Sequence, residues 1–176
     1  MACTTSYAFT GTTEDMDDFS KRLEKFMDFE NQAVKRTPNP YGETYLGDLL
    51  EYFGIDSSEY DCSGTVEWVN RFRNSIQVDT ETEEHQTPEV FEAILLKEYP
   101  ASKAKSRMKY VYISDCPEAE VFEKNDAEGR FYPANYQVEI GLGSIAYHQN
   151  DEDLLIDISR VIKKRLHSVK IGRAHV

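Results

Sequence analysis

The chain has 176 residues, 40% hydrophobic and 12% aromatic, enough apolar material for one domain with a real core and too much for a disordered chain. Its 32 acidic side chains against 20 basic ones leave a net charge of -12, which repels phosphate backbones and anionic lipid heads and so argues against direct binding to nucleic acid or an acidic membrane. No stretch approaches the roughly 18 apolar residues of a membrane span, and the opening MACTTSYAFTG lacks the basic start and apolar run of a signal peptide.

In chain order, residues 6 to 11, SYAFTG, read as a short strand ending in a turn. Met16, Phe19, Leu23, Phe26 and Met27 then recur at three- and four-residue steps, the period of one helix face, with Thr12 or Thr13 available as N-cap. KRTPNPYGE breaks this helix, and TYLGDLLEYFGI predicts a short second one carrying Leu46, Leu49, Leu50 and Phe53. TVEWVN and SIQVDT alternate in the manner of strands and predict an antiparallel hairpin. Thr87 as N-cap and Pro88 in the first turn start a helix whose Val90, Phe91, Ile94, Leu95 and Tyr99 share one face before Pro100 stops it.

KYVYISD, AEVFEK and NYQVEI predict further strands, and a closing helix is expected from about Asp151, with acids at its start and Lys163, Lys164 and Arg165 near its end to match the dipole. The last seven residues, Lys170 to Val176, read like a translated sequencing adapter. They are set aside as a non-native tail, leaving residues 1–169 as a single domain. Strands and helices in this order indicate an α+β sandwich, with helices on one face of a mainly antiparallel sheet. The three cysteines, Cys3, Cys62 and Cys116, are odd in number and far apart, which argues against a disulfide framework and for a reducing, cytoplasmic setting.

Two stretches, CTTSYAFTGTTEDMDDFSKRLEKF and YLGDLLEYFGIDSSEYDCSGTVEW through NDAEGRFYPANYQVEI, resemble the YubB-type ferredoxin-like proteins carried by phages and plasmids, over about residues 3 to 140. The resemblance implies a ferredoxin-like two-layer fold and an origin in a mobile genetic element acting in its host's cytoplasm. It brings no activity and no catalytic residue.

The residues carry no reaction motif either. Aligning Gly129 of NDAEG with the invariant glycine of a calcium loop puts Lys124 at the first ligand position and Asn135 at the last, where carboxylates are required, so the segment reads as a connector between strands. No close cysteine pair or HxxxH offers zinc ligands, and no Gly-rich run joins a strand to a helix around a phosphate. Cys62 or Cys116 with His85 would supply a nucleophile and base, against the simpler reading of isolated thiols as small buried hydrophobes. Lys103, Lys105, Arg107 and Lys109 alternate at the strand period and read as a charged edge that blocks aggregation. No catalytic residue, metal or cofactor is assigned.

What remains is acidic. With Val66, Trp68, Ile76, Val78, Tyr136, Val138 and Ile140 packed beneath the helices, alternation would display Glu67, Gln77, Asp79, Glu81, Gln137 and Glu139 on the opposite face. Glu67, Asp79, Glu81 and Glu139 are therefore the candidate partner-binding residues. The expected function is a non-enzymatic protein-binding module whose partner is a basic surface of a host protein. A narrower alternative is an acidic, nucleic-acid-mimicking inhibitor of a host defence nuclease, of anti-CRISPR or anti-restriction type.

Overall fold

The computed structural model describes residues 3–72, 75–83, 87–100, 109–114, 118–124, 131–133, 136–140, 143–146 and 169–173, and from residue 101 onward the described side chains are those of Tyr110 and Tyr112. The protein is α+β. Strand β1 (Cys3–Thr10) leads into helix α1 (Thr13–Met27), helix α2 (Leu46–Tyr52) and a single 3-10 turn (Ser57–Glu59). The hairpin β2 (Gly64–Phe72) and β3 (Ser75–Thr82) precedes helix α3 (Pro88–Glu98). Strands β4 (Lys109–Ser114), β5 (Glu118–Lys124), β6 (Phe131–Pro133), β7 (Tyr136–Ile140), β8 (Gly143–Ala146) and β9 (Val169–Arg173) follow.

Local chemistry accounts for the helix ends. The Thr12 hydroxyl accepts the Asp15 N–H at 3.2 Å, a side-chain cap that relieves one orphan donor of α1. Glu14 and Asp15 in the first turn and Lys25 in the last complement the helix dipole. At the far end of α2 the Gly54 N–H bonds the Glu51 carbonyl and the Ile55 N–H reaches back to Leu50. This is the Schellman arrangement, and Gly54 at φ +75° supplies the left-handed residue it requires. Lys97 of α3 donates its ammonium to the Phe53 carbonyl at the same helix end.

The strands form a six-stranded sheet ordered β2-β3-β1-β4-β5-β6 and a three-stranded sheet ordered β8-β7-β9, with every pairing antiparallel. On one face of the larger sheet, Tyr7 and Phe9 of β1 stand opposite Val78 and Ile76 of β3 and Tyr112 and Tyr110 of β4, all buried. Met16, Phe19, Leu23 and Phe26 of α1, the leucines of α2 and Val90, Phe91, Ile94 and Leu95 of α3 belong to the same cluster. Aromatic rings join the layers, Tyr7 to Phe91 at 4.5 Å and Phe9 to Phe19 at 5.6 Å between centroids. Polar contacts fix how the helices sit. Arg22 of α1 pairs with Glu98 of α3 at 3.1 Å, and the Tyr99 hydroxyl donates to Asp18 at 2.7 Å.

Three sequence expectations change here, and one segment set aside is found paired. The reverse face of the sheet is not an open solvated surface throughout, because Ser6, Ala8, Ser75 and Gln77 are buried, Gln77 to 2% exposure. Cys3 is disulfide-bonded while Cys62 is free, so the argument from isolated cysteines to a reducing compartment no longer holds. Lys170 to Arg173, set aside on sequence grounds, belong to β9 and pair with Tyr136 to Glu139 of β7. Glu139 lies in the smaller sheet, apart from the strands that carry Glu67, Asp79 and Glu81.

The closing helix expected from Asp151, the turn at 125–130, His85, Cys116 and the basic residues 103, 105 and 107 lie outside the described residues. Lys124 of β5 stands opposite Phe131 of β6 in an antiparallel pair.

Candidate functional site

The site is built on the outer edge of the larger sheet, where β2 has β3 on one side. The start of this edge is covered. Val66 donates its N–H to the Thr44 carbonyl at 2.7 Å and accepts the Thr44 hydroxyl at 2.5 Å. Beyond Val66 the hairpin register slips by one, with Val66 opposite Thr80 and Trp68 opposite Asp79, so Glu67 is the extra residue of a β-bulge.

That bulge corrects the predicted position of Trp68. Simple alternation places Val66 and Trp68 on the same, helix-facing side. The inserted Glu67 reverses the phase, so Val66 is buried with Thr80 whereas Trp68 shares the reverse face with Asp79 and is 40% exposed. The reversal persists along the strand. Arg71, opposite buried Ile76, lies on the helix side and pairs with Asp17 of α1 at 2.6 Å.

The indole is bracketed by carboxylates. Asp79 is its direct cross-strand neighbour, half-buried, and accepts the Gln77 side-chain amide at 2.9 Å. Glu81, exposed, stands opposite Thr65 two residues further along β3 on the same face. Glu67 is exposed within the bulge, and its carboxylate accepts the Thr65 hydroxyl at 2.6 Å. Three of the four predicted residues are thus gathered around one exposed tryptophan.

Beside them a cavity of about 320 Å³ opens between the end of α1 and the edge strand. Glu24, Met27 and Asp28 line it from the helix, and Glu67, Trp68 and Val69 from the strand. Sequence reasoning places Met27 on the apolar face of the first helix and does not single out Glu24 or Asp28. The available signal was Glu24 and Asp28 four residues apart, on the α1 surface next to Met27. Arg36 of the following loop donates to the Phe26 and Asp28 carbonyls and lies 4.4 Å from the Phe29 ring centre. It closes the C-terminal end of α1 against its dipole.

The described thiol of the nucleophile pair has the wrong electrostatics for that role. Burial, together with Asp61 and Glu51 nearby, pushes the Cys62 thiol above its ordinary value, and its Sγ lies 3.5 Å from the Ser57 carbonyl, which accepts its S–H. A reactive cysteine requires the opposite shift. Among the described residues no three acidic, histidine or cysteine side chains converge to hold a metal ion, and no helix is long and apolar enough to cross a membrane. Comparisons with protein-family models, curated proteins and solved structures find no match.

Proposed function

We propose that this chain is a non-enzymatic protein-binding module that offers the β2–β3 edge to a basic surface of another protein, and that it serves a phage or plasmid in the host cytoplasm. One observation carries the binding role: Trp68 stands exposed on a bulged edge strand, ringed by Glu67, Asp79 and Glu81, in a chain of net charge -12. Tryptophan supplies large contact area at small entropic cost and is enriched where interfaces hold most of their binding energy. Surrounding carboxylates select a cationic counterpart and speed its approach.

The fold side of the proposal is a ferredoxin-like two-layer arrangement. Its support is the antiparallel order β2-β3-β1-β4, with α1 following β1 and α3 joining β3 to β4. The mobile-element origin and the host setting rest on the resemblance of the N-terminal and central stretches. Phosphate mimicry is the narrower form, and Asp79 and Glu81, two steps apart on one strand face, are the carboxylates that favour it.

The test is affinity recovery from host lysate with the wild-type chain, Trp68→Ala and Glu81→Lys side by side, followed by elution in rising salt. A specific partner held by the wild type, lost from both variants and released by salt supports the reading. A partner retained equally by all three, or indifferent to salt, contradicts it.

A further inference from the structure

The KRTPNPYGE segment between α1 and α2 is more than a helix breaker. Asn39 clamps it into a closed turn: its side chain accepts the Glu43 N–H at 2.7 Å and donates to the Glu43 carbonyl at 3.1 Å and the Thr37 carbonyl at 3.3 Å. Pro38 and Pro40 restrict the backbone on either side of that clamp, and Gly42 at φ +67° completes the bend in a conformation that side chains resist. Both ends of the loop are fastened to the body. Thr37 is held by Asp48 of α2 at 2.8 and 2.7 Å, and Thr44 by Val66 of β2 at 2.7 and 2.5 Å, where Tyr45 also bridges to Thr65. Tyr41 stands at the tip and takes part in none of these bonds. It is 84% exposed, against 49% for Phe29 and 40% for Trp68, which makes it the large apolar side chain most open to solvent among the described residues.

From this geometry we infer that Tyr41 is an anchor that inserts into a pocket of the partner protein, an apolar slot one ring deep with a polar group at its end for the hydroxyl. This rests on the protein-binding reading and adds a contact to it. A stiff turn has already lost the freedom that binding removes from a loose one, so the ring reaches its partner at small further entropic cost. Tyrosine then offers apolar area along its length and a hydrogen bond at its end, the combination enriched where interfaces concentrate their energy. A convex tip encloses no small molecule, and the net charge of -12 opposes nucleic acid. The joins of Thr44 and Tyr45 to β2 set the turn beside the start of the edge strand, on the same margin as Glu67. Exposed Glu43, two residues from the ring, matches a cationic group at the rim of the slot.

The experiment uses the intact chain with the photo-crosslinking amino acid benzoylphenylalanine in place of Tyr41, and separately in place of exposed Glu59 as control, irradiated in host lysate. The protein joined at position 41 and not at 59 is identified, purified and titrated against the unmodified chain and its variants. Expected is binding weakened at least about thirtyfold by Tyr41→Ala, less than about tenfold by Tyr41→Phe, which keeps the ring, and about tenfold by Asn39→Ala, which keeps the tyrosine and frees the turn. The urea midpoint of Tyr41→Ala should equal that of the wild type, because the side chain is exposed rather than packed. No protein joined at position 41 alone, a purified partner that binds Tyr41→Ala as tightly as the wild type, or a lowered midpoint in that variant would overturn the assignment. If Tyr41→Ala retains the partner while Glu81→Lys loses it, the anchor is wrong and the β2–β3 reading survives. If Tyr41→Ala loses it while Trp68→Ala and Glu81→Lys retain it, the anchor stands and the β2–β3 reading falls.

Discussion

Gly64 opens β2 at φ +150°, and a Cβ there would stand 2.5 Å from the Glu81 carbonyl oxygen and 2.8 Å from the Thr82 methyl. Both neighbours belong to the paired strand and cannot retreat without breaking the hairpin. Gly64→Ala is therefore expected to lower the unfolding free energy by about 2 to 3 kcal/mol, read as a shift of the urea midpoint, and an unchanged midpoint would contradict the close approach. Asp48 is a second fixed point. Its buried carboxylate accepts the Thr37 N–H at 2.8 Å and the Thr37 hydroxyl at 2.7 Å, fastening the loop after α1 to α2. Asp48→Ala should cost about 1 to 3 kcal/mol by the same measurement, because two donors then lose their acceptor. Thr12 was legible in the sequence as a cap because its role depends on neighbours three residues away. The role of Asp48 was not, since its partner lies eleven residues back across a loop whose path no local pattern dictates.

Helix α1 shows how far periodicity reaches: Met16, Phe19, Leu23 and Phe26 fall on its buried face as their spacing requires. Strand β2 shows where it stops. A β-bulge adds one residue to one strand, and nothing in TVEWVN marks Glu67 as the residue that does not count. Alternation therefore gives the correct hairpin and the wrong face for Trp68. Likewise alternation sets Gln77 on the reverse face, where it does lie, yet it is buried because the centre of that face is covered, a consequence of packing beyond the strand itself. The bulge makes an unusual deletion testable. Removing Glu67 leaves Val66 opposite Thr80 and Trp68 opposite Asp79 in regular register, so the shortened protein should fold with its tryptophan emission still that of an exposed indole. A protein that fails to fold, or whose emission moves to that of a buried indole, would show that the strand has no bulge there.

Across the whole molecule, eleven tyrosines and the disulfide at Cys3 set how stability responds to conditions. Burial raises Tyr7, burial with Asp18 raises Tyr99, and burial with Glu92 raises Tyr110, all well above the ordinary tyrosine value. A raised folded value means that their contribution is complete below the unfolded value of about 10 and is lost as pH climbs above it. The urea midpoint should therefore fall above about pH 10, with these phenols ionising as the chain unfolds. All eleven titrating near the ordinary value in a still-folded protein would contradict it. Cys3 is disulfide-bonded and Cys62 is free, so peptide mapping without reductant is expected to recover Cys3 in a cross-linked peptide and Cys62 as a free thiol, and a free Cys3 would refute this.

The central claim is that one exposed indole within a ring of carboxylates receives a cationic protein. The most direct measurement follows Trp68 emission while the lysate-recovered partner is titrated in at several salt concentrations. A saturable emission change whose midpoint moves to higher partner concentration as salt rises is the predicted result. Binding by an independent readout with the Trp68 signal unmoved would place the interface elsewhere and contradict the account.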